Sequence, residues 1–407
     1  MKKSTLRKYA NLIAVCGANV QKGQEVFIIA GLDQPEFIKM LVEECYKLGA
    51  KRVVVDWDYQ PLSKVNVRYC SAKTLGTVED YEESRLQHYV NTLPCRIYIE
   101  SDDPDGLNGI NHKKMAAGIQ KRFPVIKKYR DQMENKYQWT IAAVPGVKWA
   151  KKLFPDLPKG KAVEKLWEYI LKASRADGDP IKAWEEHNRD LESRCEYLNS
   201  LNIESLHYYS KNGTDFTVGM IKNAVFRSGR DKSLQGIYFN ANIPTEECFI
   251  SPMKGKAEGI VYSTKPLSYR GQLIDDFWIR FKDGKAFEWH AEKNNELLTH
   301  LINMDEGSAY LGECALVPYS SPINECGFLF YSTLFDENAA CHLALGEGFP
   351  DTIDGFENYS LEQCREMGIN DSMIHEDFMI GSEDLNIDAL TYDNQTIPIF
   401  RNGNWAF

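Results

Sequence analysis

The sequence predicts two domains of different class. Residues 1–200 read as an α/β domain with a Rossmann-like parallel sheet that leaves through a helical bridge, and residues 201–407 as an α+β domain on a largely antiparallel sheet. Three observations predict this. The chain has 407 residues, more than one hydrophobic core ordinarily fills. Its first half alternates short β-branched runs with amphipathic stretches, whereas its second half strings strand-like runs between turn residues. Charge divides along the chain as well. Leu301–Phe407 holds nineteen Asp and Glu against Arg365 and Arg401, so a net charge of −10 conceals −17 in this last part and +7 in the remainder.

In the first half, "EVFIIAG" (25–31) and "RVVVDWD" (52–58) are strand runs. Between them Phe37, Leu41, Cys45 and Leu48 make one helical stripe, with Pro35 near its start and Gly49 at its stop. "CRIYIES" (95–101) and "QWTIAAVP" (138–145) repeat the strand signal, each followed by helix-compatible sequence. This βαβ rhythm implies a parallel sheet. No Gly-x-Gly-x-x-Gly or Gly-Lys-Ser/Thr loop follows any of these strands, so the sheet carries no nucleotide motif. Residues 161–201 read as the helical bridge.

In the second half, "SLHYYS", "FTVGMI", "GIVYST", "CALVPYSSP" and "CGFLFYS" read as strands, and Asp283-Gly284 between "FWIRFK" and "KAFEW" is a hairpin turn signal. There is no internal repeat and no low-complexity tract.

Composition narrows the function classes. No basic run suggests a nucleic-acid partner, and no apolar stretch approaches the ~18 residues of a membrane span. The first residues lack the apolar core and cleavage site of a signal peptide. The ten cysteines are scattered, with no Cys-x-x-Cys pair. They are expected to be small buried hydrophobes in a reducing cytoplasm. The acidic last part favours cations, either metal ions or an ammonium-bearing substrate.

Four stretches of the second half place acids or histidines in apolar context. "NIPTEECFISP" holds Glu246 and Glu247 entering a strand, and only one of them can face a given site. "YLGECALVP" isolates Glu313, whose burial without a partner would cost several kcal/mol. "LFDENAACHLALG" isolates His342. In "INDSMIHEDFMIGSED", His375 and Asp377 stand two apart, so on a strand both point to one face. Each is also compatible with a cap, an edge-strand charge or a hydrogen-bonded core imidazole. Together they offer three carboxylates and two imidazoles without thiolates, a donor set that suits zinc, cobalt or manganese and two ions better than one.

"PTEE", "LGECALVP", "LFDENAACHLALG" and "NDSMIHEDFMIG", in this order and spacing, resemble the aminopeptidase T and aminopeptidase S family of metallo-aminopeptidases. The likeness extends to "YANLIAVCGANVQKGQEV", "NGTDFTVGM" and "DEGSAYLGE", nearly the whole chain. It implies a two-domain homodimer that removes N-terminal residues from peptides with two divalent metals. The resemblance puts the ligands on Glu247, Glu313, His342, His375 and Asp377, with Glu247 preferred over Glu246 by the family's spacing. One position departs from the pattern. The family commonly carries a tyrosine seven residues after the first metal-site histidine, its hydroxyl at the metal centre, and this chain has Phe349 there. A phenyl ring neither ligates nor donates a hydrogen bond. Either activity is altered, or Tyr359 or a water takes the role, or the chain belongs to a branch with different chemistry.

The expected reaction is metal-assisted amide hydrolysis, with a carboxylate outside the ligand set carrying the proton to the leaving amine. Glu246 is the candidate by proximity, although strand alternation points it away. The alternatives are a metal- or peptide-binding homologue that has lost catalysis and a nucleotide-dependent enzyme built on the N-terminal sheet.

Overall fold

The computed structural model describes residues 1–407, which divide into two compact units. The first comprises Met1–His187 with Arg230–Pro244, and the second Asn188–Gly229 with Thr245–Phe407.

The first unit is built on a parallel sheet of β1 (Glu25–Gly31), β2 (Arg52–Asp58), β3 (Cys95–Glu100) and β4 (Trp139–Ala143). The spatial order is β2-β1-β3-β4, and the short strand Asn242–Ile243 pairs parallel with β4 as the fifth member. This is the strand order of flavodoxin-like doubly wound sheets. The stripe of the first connecting helix, Pro35–Lys47, is buried at Phe37, Leu41 and Cys45, and Gly49 at φ +91° turns the chain out of it. The stretch expected to bridge the domains forms two helices: Lys159–Ala173 lies within this unit, and the two units divide within Pro180–Ser200.

The second unit holds two antiparallel sheets. The larger has nine strands, among them Ile203–Tyr209, Asp215–Met220, Pro252–Tyr262, Gln272–Lys282 and Asn386–Thr391. The Asp283-Gly284 turn joins Gln272–Lys282 to Lys285–Lys293 with both residues at positive φ, as a type I′ hairpin requires. The smaller sheet is β5 (Cys248–Ile250), β6 (Leu311–Leu316), β7 (His342–Gly346) and β8 (His375–Met379), in the order β8-β7-β6-β5, with Arg227–Ser228 on the β5 edge. "CGFLFYS" is not a strand. Phe330 and Ser332 donate their backbone N–H groups to the Asp336 carboxylate, and the Phe330 ring stacks on Phe335 at 4.6 Å. A side chain there satisfies the amides that a sheet ladder would have taken.

The smaller sheet is two-faced. One face contributes Cys248, Ile250, Cys314, Leu316, Leu343, Leu345 and Phe378 to the main core, where they meet Leu206, Phe216, Val218 and Phe277 of the larger sheet. Burying each large side chain contributes about 1.5–3 kcal/mol. The opposite face carries the polar residues, and the register places them. Phe249, Ala315, His342 and Met379 form one cross-strand row. Glu313, Ala344 and Asp377 form the next, and Gly346 pairs with His375. Alanine and glycine at the middle positions leave room for longer side chains to converge above them. No helix of the chain is long and apolar enough to cross a membrane.

Gly346 has φ +108°, and a Cβ there would collide with the carbonyl oxygen of Ile374, one residue before His375. Gly346→Ala is therefore expected to cost about 1–3 kcal/mol from backbone strain, read as a lower Tm. An unchanged Tm would show that this crossing is not tight.

Candidate metal centre

The polar face of the smaller sheet gathers donor atoms in two triads. Glu247, Glu313 and His342 form one, and Glu313, His375 and Asp377 the other, with the donor atoms of each triad within 4.8 Å of one another. Glu313 belongs to both. Its Oε1 lies 4.0 Å from His342 Nε2 and its Oε2 lies 3.0 Å from His375 Nε2. His342 Nε2 is also 3.2 Å from Glu247 Oε2, and Asp377 Oδ1 is 3.4 Å from His375 Nε2 and 3.9 Å from His342 Nε2. All five residues named from the sequence are thus in one cluster, and Glu246 stands outside both triads.

Each imidazole is backed by a main-chain carbonyl. His375 Nδ1 is 2.7 Å from the Glu347 oxygen and His342 Nδ1 is 3.3 Å from the Ala340 oxygen. An Nδ1–H donated to a carbonyl leaves Nε2 as the free lone pair, the arrangement that orients a ligating histidine. The loop before β8 is pinned as well. Asp305 accepts hydrogen bonds from Ser308 N–H, Ser372 Oγ and Met373 N–H. Asn370 Nδ2 donates to the carbonyls of Gly307 and Gly346. These contacts fix His375 although nothing regular precedes it.

The electrostatics are unbalanced. Glu247, Glu313, Glu337 and Asp377 are all buried, against two imidazoles. Burial, and then the charges of Glu247 and Asp377, push the Glu313 carboxyl up to about 7 despite its hydrogen bond with His375. Burial opposes a charged His342, but its hydrogen bond to Glu247 and the charges of Asp377, Glu247 and Glu313 outweigh burial and hold it at about 9. His375 is raised well above its ordinary value against burial, chiefly by Asp377. Asp377 is drawn below the usual carboxylate range against burial, chiefly by His375. An excess of buried carboxylate, with Asp377 Oδ1 meeting His375 only as an ion pair at 3.4 Å and making no well-aligned hydrogen bond, is chemistry that divalent cations complete, so the residues present fit a metal.

Sequence reasoning missed Glu337. It lies on the short turn Glu337–Ala339 five residues before His342 and is buried. Its carboxyl is hydrogen-bonded to Asp377, and Asn338 Nδ2 donates to its Oε1 at 3.2 Å. Burial, and then Asp377, Glu247 and Glu313, raise it far above its ordinary value. Asn338 also accepts the Glu246 backbone N–H through Oδ1 at 2.7 Å, tying this turn to the segment that carries Glu247. The only sequence signal was an acid inside the same short segment as His342. Phe349 sits beside the cluster, its ring 4.7 Å from that of His375, while Tyr359 is 40% exposed past the turn Phe356–Asn358.

The chain is similar to known proteins over nearly its whole length. The family model for thermophilic metalloproteases (M29) matches residues 2–405. Aminopeptidase AmpS of Bacillus subtilis (strain 168) is 39% identical over 404 residues, covering 99% of this chain and 98% of the relative. Aminopeptidase T of Thermus aquaticus is 35% identical over 98% of both chains. The solved structure of wild-type AmpT from Thermus thermophilus superposes with a TM-score of 0.89 at 34% identity and covers 100% of both chains.

The position of His342 at about 9 sets the sign of a pH effect. A histidine raised in the folded state is protonated at neutral pH, and that stabilising proton is lost as pH rises through about 9. A cation taking Nε2 must displace it. Zinc binding is therefore expected to release protons and to tighten about tenfold per pH unit for each proton displaced between about pH 6 and 8. Calorimetry in buffers of different ionisation enthalpy measures this, and binding without proton release would contradict it.

Proposed function

From the premise that the chain belongs to the thermophilic metalloprotease family M29 and is a metallo-aminopeptidase, we propose that it removes N-terminal residues from peptides at a dinuclear centre held by Glu247, Glu313, His342, His375 and Asp377. The observation that carries this reading is the pair of triads sharing Glu313 on one buried sheet face. When bound, two divalent ions such as zinc, cobalt or manganese supply Lewis acidity and bring the pKa of a water close to neutrality.

The chain's own groups divide the remaining work. Glu313 links the halves of the site, because its two carboxylate oxygens face different histidines. The carbonyls of Glu347 and Ala340 hold the two Nε2 atoms in place. Amide hydrolysis also needs a group that takes a proton from the attacking water and delivers it to the leaving amine. We assign this to Glu337, a buried carboxyl outside the five ligands whose Oε1 is fixed by Asn338 and which contacts Asp377. Its pKa is raised in the protein alone, and cations bound beside it would offset the neighbouring carboxylates and favour the ionised form that accepts the proton. Glu246 is less well placed, being outside both triads. The surrounding carboxylates favour the ammonium group of a free peptide N-terminus, which suits an exopeptidase. The family resemblance carries the proposal of a homodimer, and the scattered cysteines, with no Cys-x-x-Cys pair, carry that of a cytoplasmic location.

A nucleotide role for the first unit is disfavoured by charge. Asp33, Asp58, Asp102 and Asp103 lie close enough to interact near the carboxyl ends of β1, β2 and β3, where doubly wound sheets take their ligands, and they would repel phosphate.

Metal analysis of the purified protein paired with aminoacyl-4-nitroanilide turnover tests the proposal. Two equivalents of divalent metal, with activity lost in excess chelator and restored by metal, is the expected result. Full activity in chelator would contradict it. Glu337→Gln should lower kcat about a hundredfold or more while metal content stays at the natural level.

Phe349→Tyr should leave metal content unchanged and raise kcat, by up to about a hundred- to a thousandfold where the added hydroxyl reaches the oxyanion. No gain would show that another donor already serves.

A further inference from the structure

In the first unit a cavity of about 470 Å³ lies between the helix Gln60–Tyr69 and the segment that opens the helix His112–Met133. Its walls follow from helical spacing. Pro61, Lys64, Val65 and Arg68 recur at i, i+3, i+4 and i+7, so one stripe of the first helix lines it. Ile110 and Lys114 line it from the second segment. Asn111 Oδ1 accepts the Lys114 backbone N–H at 3.0 Å, and Lys114 Nζ donates to the Arg68 carbonyl at 3.4 Å, which ties the two helices together.

The charge of this cavity is all of one sign. Lys64, Arg68 and Lys114 line it, no acidic side chain does, and none of the three makes an ion pair. Other cations of the same unit are paired: Arg85 with Asp56, Arg122 with Glu82 and Lys152 with Asp105. Lys64 and Arg68 stand four apart on one helix, a spacing at which like charges destabilise it. Lys64 and Lys114 are half-buried, so solvent screens them less than it screens fully exposed charges. The rest of the wall is apolar, from Pro61, Val65 and Ile110.

We propose that this cavity binds a small organic phosphate, with Lys64, Arg68 and Lys114 on the phosphate and Pro61, Val65 and Ile110 against its carbon body. A group with close to two negative charges relieves the repulsion among the three cations and accepts charge-assisted hydrogen bonds from them. The guanidinium can hold two phosphate oxygens at once. The volume is that of a small-molecule site. Three cations on one cavity of that size suit a compact dianion better than an extended acidic chain. The aspartates that repel phosphate at the strand ends, Asp33, Asp58, Asp102 and Asp103, are not among the lining residues. The inference is independent of the aminopeptidase reading, since all five proposed metal ligands belong to the second unit.

Calorimetry on the metal-loaded protein tests this with inorganic phosphate and phenyl phosphate as probes. Phenyl phosphate should bind at least about tenfold more tightly than inorganic phosphate, because it alone has a ring to lay on the apolar wall. Lys64→Gln and Arg68→Gln should each weaken phenyl phosphate about tenfold or more, and the double variant should lose this equivalent altogether. Arg68 is exposed and Lys64 half-buried, so the Tm of each variant without ligand should match that of the natural protein. Absence of binding to the natural protein would overturn the proposal. So would binding that survives in both variants, which would place the phosphate elsewhere, the metal centre included. Equal affinity for the two probes would overturn the assignment to an organic phosphate, because the apolar wall would then take no part.

Discussion

The structure of the second unit turns on one electrostatic constraint: four carboxylates are buried together with only two imidazoles to offset them. Glu247, Glu313, Glu337 and Asp377 are withdrawn from water on a single sheet face, and Asp377 Oδ1 meets the His375 imidazole at 3.4 Å without a well-aligned hydrogen bond. Isolated buried carboxylates shift toward neutrality, and removing such charges from water is costly unless they are paired. In the protein alone the histidines take up part of the imbalance by holding protons above their usual range. Divalent cations bound among these side chains would offset the remainder. On the proposed reading, linkage would convert ion binding at this face into added stability.

The fold supports this cost with its other face. β6 and β7 are buried throughout, so alternation sends Cys314, Leu316, Leu343 and Leu345 into the core and leaves Glu313 and His342 on the opposite side. Ala315, Ala344 and Gly346 are small where they lie between the functional side chains, which is why a five-stranded sheet has room for the cluster. The turns at its rim have little regular structure. Asp305, Asp336, Asn338 and Asn370 satisfy their amides and carbonyls and thereby position His375, Glu337 and the segment leading to Glu247.

Much of this was legible in the sequence because the period of a strand is two. His375 and Asp377 share a face on that ground alone, and Glu313 announced itself as a lone acid in an apolar run. The lengths of β1 and β2 follow from β-branched runs bounded by turn residues. Other features depend on distant partners that no local pattern records. Asn242–Ile243 completes the parallel sheet next to β4 from about a hundred residues further along the chain. "CGFLFYS" has strand composition, but its amides are taken by Asp336. Glu337 sits beside Asp336 in a turn, where two acids read as solvated surface. Its burial against Asp377 exists only once β7 and β8 have paired. The pairing of Phe249 with Phe349 is likewise a tertiary contact between residues a hundred positions apart.

Anomalous diffraction from a crystal grown with zinc, recorded on both sides of the zinc absorption edge, tests the central claim most directly. Two peaks are expected on the polar face of the β5–β8 sheet. One should lie among Glu247, Glu313 and His342 and the other among Glu313, His375 and Asp377, with Glu313 contacting both. A single peak, or zinc bound away from these side chains, would contradict it.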